Sequence, residues 1–230
     1  MAKRAPVRQS SHLNPEDIIE RLSGSYGLPV LKPTGDPLGE LILTVLSQNT
    51  SDSNSGRAFT ALLARFGSWD EVEGVPVDEL VDIIRIGGLA QQKAPRIQAI
   101  LARVHERSGN WDLSFLGELP VDDAREWLLS LPGVGPKTAA CVLLFALGRP
   151  AIPVDTHVER VGKRLGLIPD DLTAERAHEH LEKLIKPDDY YALHMLLIKH
   201  GRRMCKARKP ACGECSLQAD CPFGRNRSGT

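Results

Sequence analysis

Apolar residues recur every three or four positions along nearly all of this chain, and that regularity restricts it to a helical fold. Asn14-Pro15-Glu16-Asp17 reads as a helix start: a capping side chain, a first-turn proline and two acids. Ile18, Ile19, Leu22 and Tyr26 then fall on one face. Further helices are predicted over residues 38–46, 77–85, 91–107, 122–130, 137–147 and 155–165, and through Phe59, Leu62, Leu63 and Phe66 to Gly67. Ala177, Leu181, Leu184 and Ile185 form another stripe, stopped by Lys186-Pro187. Leu193, Leu196 and Leu197 lead to Gly201, which reads as a stop. No segment alternates apolar and polar residues between hairpin turns, so the expected class is all-α. With 230 residues, 42% of them hydrophobic, the chain suits one large or two small packed domains with a sizeable core. Its longest apolar run, residues 141–147, is too short to span a bilayer. Met1-Ala2-Lys3-Arg4 is basic but lacks the apolar stretch of a secretory signal, so a cytoplasmic location is expected. The polar arm over residues 3–14 is expected to be mobile.

Charge is balanced in total, 29 basic against 29 acidic, but not along the chain. Residues 199–230 carry eight basic side chains against Glu214 and Asp220, a net +6, and the first twelve residues add +3. The body between them carries −9. A basic end on an acidic body either binds a polyanion or is simply a solvated terminus.

The centre of the chain reads Leu131-Pro132-Gly133-Val134-Gly135-Pro136-Lys137-Thr138-Ala139-Ala140. Two glycines two residues apart turn the chain between helices and let the backbone approach a ligand. The second helix aims unpaired N–H groups at the same place. That arrangement suits a phosphate, although an ordinary corner between two helices has the same outline. Apolar Val134 at the tip implies packing against something. Lys137 opens the second helix, where the helix dipole repels cations, so capping does not explain it. It is either a phosphate contact or an amine nucleophile. Asp155, in Pro153-Val154-Asp155-Thr156-His157, reads as a helix N-cap whose carboxylate is held ionised by amide donors. A fixed anion of this kind also stabilises positive charge developing beside it. His157 reads as structural, orienting a neighbour.

Four of the five cysteines stand within seventeen residues as Cys205-x6-Cys212-x2-Cys215-x5-Cys221; the fifth, Cys141, reads as a small core residue. A reducing compartment disfavours disulfides. Structural zinc usually takes two tight Cys/His pairs, and only one is present. Four thiolates on one short loop suit a cubane iron–sulfur cluster better, with zinc still open on spacing alone. Lys206, Arg208 and Lys209 lie inside the first interval, so a metal-pinned loop there would make a phosphate clamp. An electron-transfer role is the rival.

Taken together, the hairpin with its lysine, the Val154-Asp155-Thr156-His157 segment eighteen residues after Lys137, and the x6-x2-x5 cysteine spacing resemble the endonuclease III family of helix-hairpin-helix DNA glycosylases. Weaker similarity runs back through Ile86-Gly87-Gly88-Leu89 to about Leu38. The resemblance implies a six-helix barrel domain over residues 30–149. A [4Fe–4S] domain, built from residues 1–29 and 150–230, would complete the fold, with DNA in a cleft between the two. It further implies a monomeric, nucleoid-associated enzyme that removes oxidised pyrimidines from duplex DNA and cuts the strand at the abasic site. In that assignment Lys137 and Asp155 are catalytic, and Cys205, Cys212, Cys215 and Cys221 ligate the cluster. Gln48, Asn49, Leu89, Gly133, Val134, Gly135, His157, Lys206, Arg208 and Lys209 face DNA. Leu89 matches the family's wedge leucine, while Asn49, beside Gln48, stands where the family has a glutamine that fills the vacated base space. Pro136 replaces a basic residue, and Ala90-Gln91-Gln92 replaces a run richer in tyrosine and asparagine. A monofunctional mismatch glycosylase and a non-catalytic DNA-binding module are the competing readings.

Overall fold

A computed structural model describes residues 13–226. The readings made on the N-terminal arm therefore lie almost wholly outside the described residues. All regular elements among the described residues are helical. They divide into two compact units, residues 31–153 and residues 13–30 with 154–226.

The first unit is organised around α2 (Pro37–Ser47), which is apolar on most sides and buries Leu38, Leu41, Ile42, Val45 and Leu46. Its start is fixed by Asp36, whose carboxylate accepts from Gly39 N at 2.8 Å, with Pro37 in the first turn. Against it pack α3 (Asp52–Arg65), α6 (Ala90–Ser108) and α8 (Pro136–Cys141), while α4 (Trp69–Gly74) packs on α6, α5 (Val77–Ile84) on α3 and α6, and α7 (Val121–Leu129) on α8. Burial of each large aliphatic side chain in this core contributes about 1.5–3 kcal/mol. The segment predicted as one helix from Lys137 to Leu147 instead widens after Cys141 into a π-helical turn, Val142–Ala146. The carbonyls of Phe145 and Ala146 there accept from Thr34 N and Gly35 N, both at 3.0 Å. The short α4 was not expected from periodicity; Ser68 caps it and only Val72 is buried.

The second unit contains α1 (Pro15–Tyr26), α9 (Thr156–Leu165), α10 (Ala174–Leu184), α11 (Tyr190–Arg203) and α12 (Pro222–Arg225). Asn14 caps α1 as its sequence implies, accepting from Asp17 N at 2.7 Å. Gly201 is not a stop: α11 runs through it to Arg203. A Cβ there would lie 2.9 Å from Arg160 Nη2 and 3.0 Å from His157 Nδ1. The glycine is needed for the close approach of α9 to α11, a demand that periodicity cannot distinguish from a helix end.

Candidate functional site

Within the first unit, the glycine turn joins α7 to α8. Gly133 has φ +72°, a conformation that favours glycine, and a Cβ on it would displace the Arg96 side chain, whose Nε would lie 2.2 Å away. Val134 does not project from the turn. It is 7% exposed in the hydrophobic core, and its N–H is bonded to Leu131 O at 3.2 Å. Its apolar character is spent on fixing the turn, leaving only backbone for a ligand. Lys137 is the second residue of α8 and half-buried. The half-buried Glu40 carboxyl of α2 interacts electrostatically with it. Burial raises the Glu40 pKa, against a hydrogen bond from Thr44 Oγ1 at 3.2 Å and the Lys137 charge, both of which favour its ionised form.

Two further turns in this unit carry unusual backbone. Asn49, just past the end of α2, and Leu89, the residue preceding α6, have φ +55° and +49°. They are two of the three non-glycine residues in the left-handed region among those described. Such conformations cost of order 1–3 kcal/mol each and concentrate where function demands them. Both side chains are exposed, Leu89 at 45%. Gln48 is placed differently. Its Nε2 donates to Gly133 O at 3.1 Å and lies 3.5 Å from Thr138 Oγ1, while its Oε1 accepts from Arg96 Nη1 at 2.9 Å. It is a bracket between the α2 turn and the glycine turn.

In the second unit, Asp155 is the N-cap of α9. Its Oδ1 accepts from His157 N at 2.9 Å and Val158 N at 2.7 Å. His157 is half-buried, with Nδ1 3.1 Å from Arg160 Nη2, a packed position beside Gly201.

Cys205, Cys212, Cys215 and Cys221 line one small cavity, together with Arg164, Leu165, His200, Met204 and Phe223. Among the described residues no three Cys, His, Asp or Glu side chains converge as a single ion would require. Four thiols around a shared hollow fit the ligand set of a polynuclear iron–sulfur cluster. Backbone N–H groups of Leu217 and Gly224 point at the sulfurs of Cys215 (3.4 Å) and Cys221 (3.3 Å), and Arg164 Nη1 at that of Cys205 (3.3 Å). Donors so placed favour thiolate ligands and tune a cluster's potential. Without metal, burial pushes the Cys215 and Cys221 thiols up. Arg164 also grips the carbonyls of Lys206 (2.8 Å) and Ala207 (3.1 Å), fastening the basic loop to α9. Lys206, Arg208 and Lys209 are exposed on that loop, and Lys209 is the third left-handed residue, at φ +51°.

A helical unit with a lysine-bearing glycine turn and a cysteine-lined cavity in the second unit define a DNA-repair glycosylase class. Residues 42–187 match the model of HhH-GPD superfamily base excision DNA repair proteins, and residues 205–221 that of the iron–sulfur binding domain of endonuclease III. The chain belongs to the HhH-GPD superfamily. It is 39% identical over 192 residues to endonuclease III of Thermotoga maritima, covering 84% of this chain and 85% of that one. Endonuclease III of Bacillus subtilis is 36% identical over 192 residues, covering 84% of each. Among solved structures, a trapped endonuclease III–DNA covalent intermediate matches with TM-score 0.79 and 33% identity over 94% of this chain and 99% of that one. A non-covalent endonuclease III–DNA complex matches with TM-score 0.80 and 32% identity over 95% and 100%. The chain is thus an enzyme, a bifunctional DNA glycosylase and abasic-site lyase of base excision repair, and it carries a [4Fe–4S] cluster. Among the described residues no helix is long and apolar enough to cross a membrane.

Proposed function

We propose that the enzyme acts as a monomer on duplex DNA, in a cytoplasmic, nucleoid-associated setting, and removes oxidised pyrimidines. Lys137 is the nucleophile. Its neutral Nζ bonds to C1′ of the damaged nucleotide as the C1′–N bond breaks, and the base departs with the electron pair and takes up a proton. Opening of the sugar gives a lysine Schiff base. Loss of a C2′ proton then expels the 3′ phosphate by β-elimination, and water releases the lysine. Asp155, anchored by two amide donors, stabilises the positive charge that develops on the sugar. The observation carrying this reading is Lys137 at the start of α8, directly after the glycine turn, in a chain 33% identical to an endonuclease III trapped covalently on DNA.

The target base must leave the stack, at a cost of a few kcal/mol that is smaller for a damaged base. Leu89 and Asn49 fill the gap it leaves, their left-handed backbones presenting both tips outward. The engagement of Gln48 with Gly133, Thr138 and Arg96 favours Asn49 as the filler. Gly133 and Gly135 bring backbone to the phosphates, and His157, Lys206, Arg208 and Lys209 are further DNA contacts. The barrel domain is assigned to residues 31–153 and the cluster domain to residues 13–30 with 154–226; the boundary lies past 149 because Ala151 packs in the core of the first unit. Cys205, Cys212, Cys215 and Cys221 ligate the cluster, which supplies, when bound, the iron–thiolate bonds that hold the basic loop in shape. Borohydride should trap wild-type enzyme on an abasic duplex, and Lys137→Gln should trap none; equal trapping by the variant would overturn the nucleophile assignment.

A further inference from the structure

Lys93 sits on the buried face of α6, among Ala90, Ala94, Ile97 and Leu101, where an apolar residue is expected. Only 1% of it is exposed. Its ammonium donates to two carbonyls, Leu46 O at 2.6 Å and Gly87 O at 2.8 Å. Leu46 belongs to the last turn of α2, three residues before Asn49; Gly87 precedes Leu89 by two. The two turns lie against each other. A Cβ on Gly88 would come within 3.9 Å of Thr50 Oγ1, and one on Gly87 within 3.1 Å of the Ala58 Cβ and 3.9 Å of Leu46 O.

From this geometry we infer that Lys93 is a positioning residue for base extrusion, its one ammonium tying the Asn49 and Leu89 turns together so that both tips enter DNA as a single wedge. The inference deepens the function proposed above and rests on it. Both tips are held in the left-handed conformation, which asparagine tolerates but which is costly for Leu89 and persists there only where the surroundings over-determine it. A buried charge bonded to a carbonyl of each turn supplies that constraint. The cost of placing it there is visible: burial first, and the nearby Arg96 charge second, push the Lys93 pKa down. Arg96, one helical turn further on, extends the same arrangement through Gln48 to the glycine turn. One face of α6 thereby sets the register of three loops.

The test separates extrusion from chemistry. Lys93→Met keeps the side chain's bulk but frees both turns. Gly87→Ala drives a methyl against Ala58 and shifts the same junction with Lys93 intact, which keeps the question open to experiment if the first variant folds poorly. Each is assayed on a duplex with one paired thymine glycol, on the same lesion in an unpaired bulge, and on a single-stranded abasic site. Adjacent 2-aminopurine fluorescence reports unstacking. Loss of the charge-assisted hydrogen bonds that preorganise the two turns predicts an excision deficit of about ten- to a hundredfold on the paired lesion. The unstacking signal should weaken in step, the deficit should shrink in the bulge, and cleavage of the single-stranded site should be largely retained. Equal deficits on all three substrates, or no deficit on the paired lesion, would overturn the inference. Wild-type enzyme that forms no adduct on any substrate would overturn the proposed function itself, and this inference with it.

Discussion

Asp155 carries two roles that different substitutions pull apart. As a cap, its Oδ1 takes two amide hydrogens of α9, at 2.9 and 2.7 Å. As a charge, it sits at the positive end of that helix. Asparagine keeps a capping oxygen and gives up only the charge–dipole attraction, about 0.3–1 kcal/mol. Alanine loses the cap as well, for a total of about 2 kcal/mol. In a chain of this size, about 2–4 °C of melting temperature accompanies each kcal/mol. Asp155→Asn should therefore melt within about 4 °C of wild type, and Asp155→Ala about 4–8 °C below it. Activity should follow another rule. If the carboxylate offsets positive charge on the reacting sugar, both variants lose the same stabilisation, about 3–4 kcal/mol, or a factor of about 10² to 10³ in excision. Single-turnover excision on a lesion-bearing duplex, beside thermal melts of the same preparations, provides the comparison. Excision by Asp155→Asn within about twofold of wild type would refute the catalytic role and reduce Asp155 to a cap.

Two further outcomes are expected. Replacing Lys206 and Arg208 with glutamine and Lys209 with asparagine, which tolerates the left-handed backbone at 209, should flatten the dependence of log binding constant on log salt by about 0.9 per lost phosphate contact; an unchanged slope in a salt titration would remove the loop from the DNA interface. Glu40→Gln should stabilise the protein near neutral pH: burial holds the native carboxyl above its unfolded value of 4.5, so ionisation costs stability as pH rises through the native pKa. The gain in melting temperature over wild type should fade towards pH 4.5, and a loss at neutral pH would show that attraction to Lys137 outweighs burial.

How far the chain discloses this arrangement depends on how local each determinant is. Helix starts are local: Asn14, Asp36, Ser51 and Thr173 each accept from an amide three residues on, and such caps stand out beside an apolar stripe. Glycine turns and cysteine spacing are local too, so the lysine-bearing turn and the cluster loop can be found without coordinates. Gly201 shows the opposite case. A glycine near the end of a helical pattern has two meanings, a stop or a close crossing, and only the position of Arg160 and His157 decides between them. Val134 is similar: apolar at a turn tip, it can be offered to a ligand or folded inward, and the core takes it.

Lys93, absent from the predicted site, and Gln48, predicted to face DNA, are the more instructive cases, because each left a trace. Lys93 interrupts the apolar face of α6 between Ala90 and Ala94–Ile97, and a charged residue there must find partners or destabilise the fold. Those partners are the carbonyls of Leu46 and Gly87, 47 and 6 residues away, and main-chain oxygens leave no mark in a sequence. Gln48 reads as one of two polar residues at an exposed turn, and its use as a bracket follows only from Gly133, 85 residues on, and Arg96, 48 on. Residue identity thus marks where chemistry or strain must be accommodated, whereas packing selects the groups that accommodate it. Lys137 follows a local motif; the polar contacts that hold the surrounding turns in place are made by residues with no motif at all.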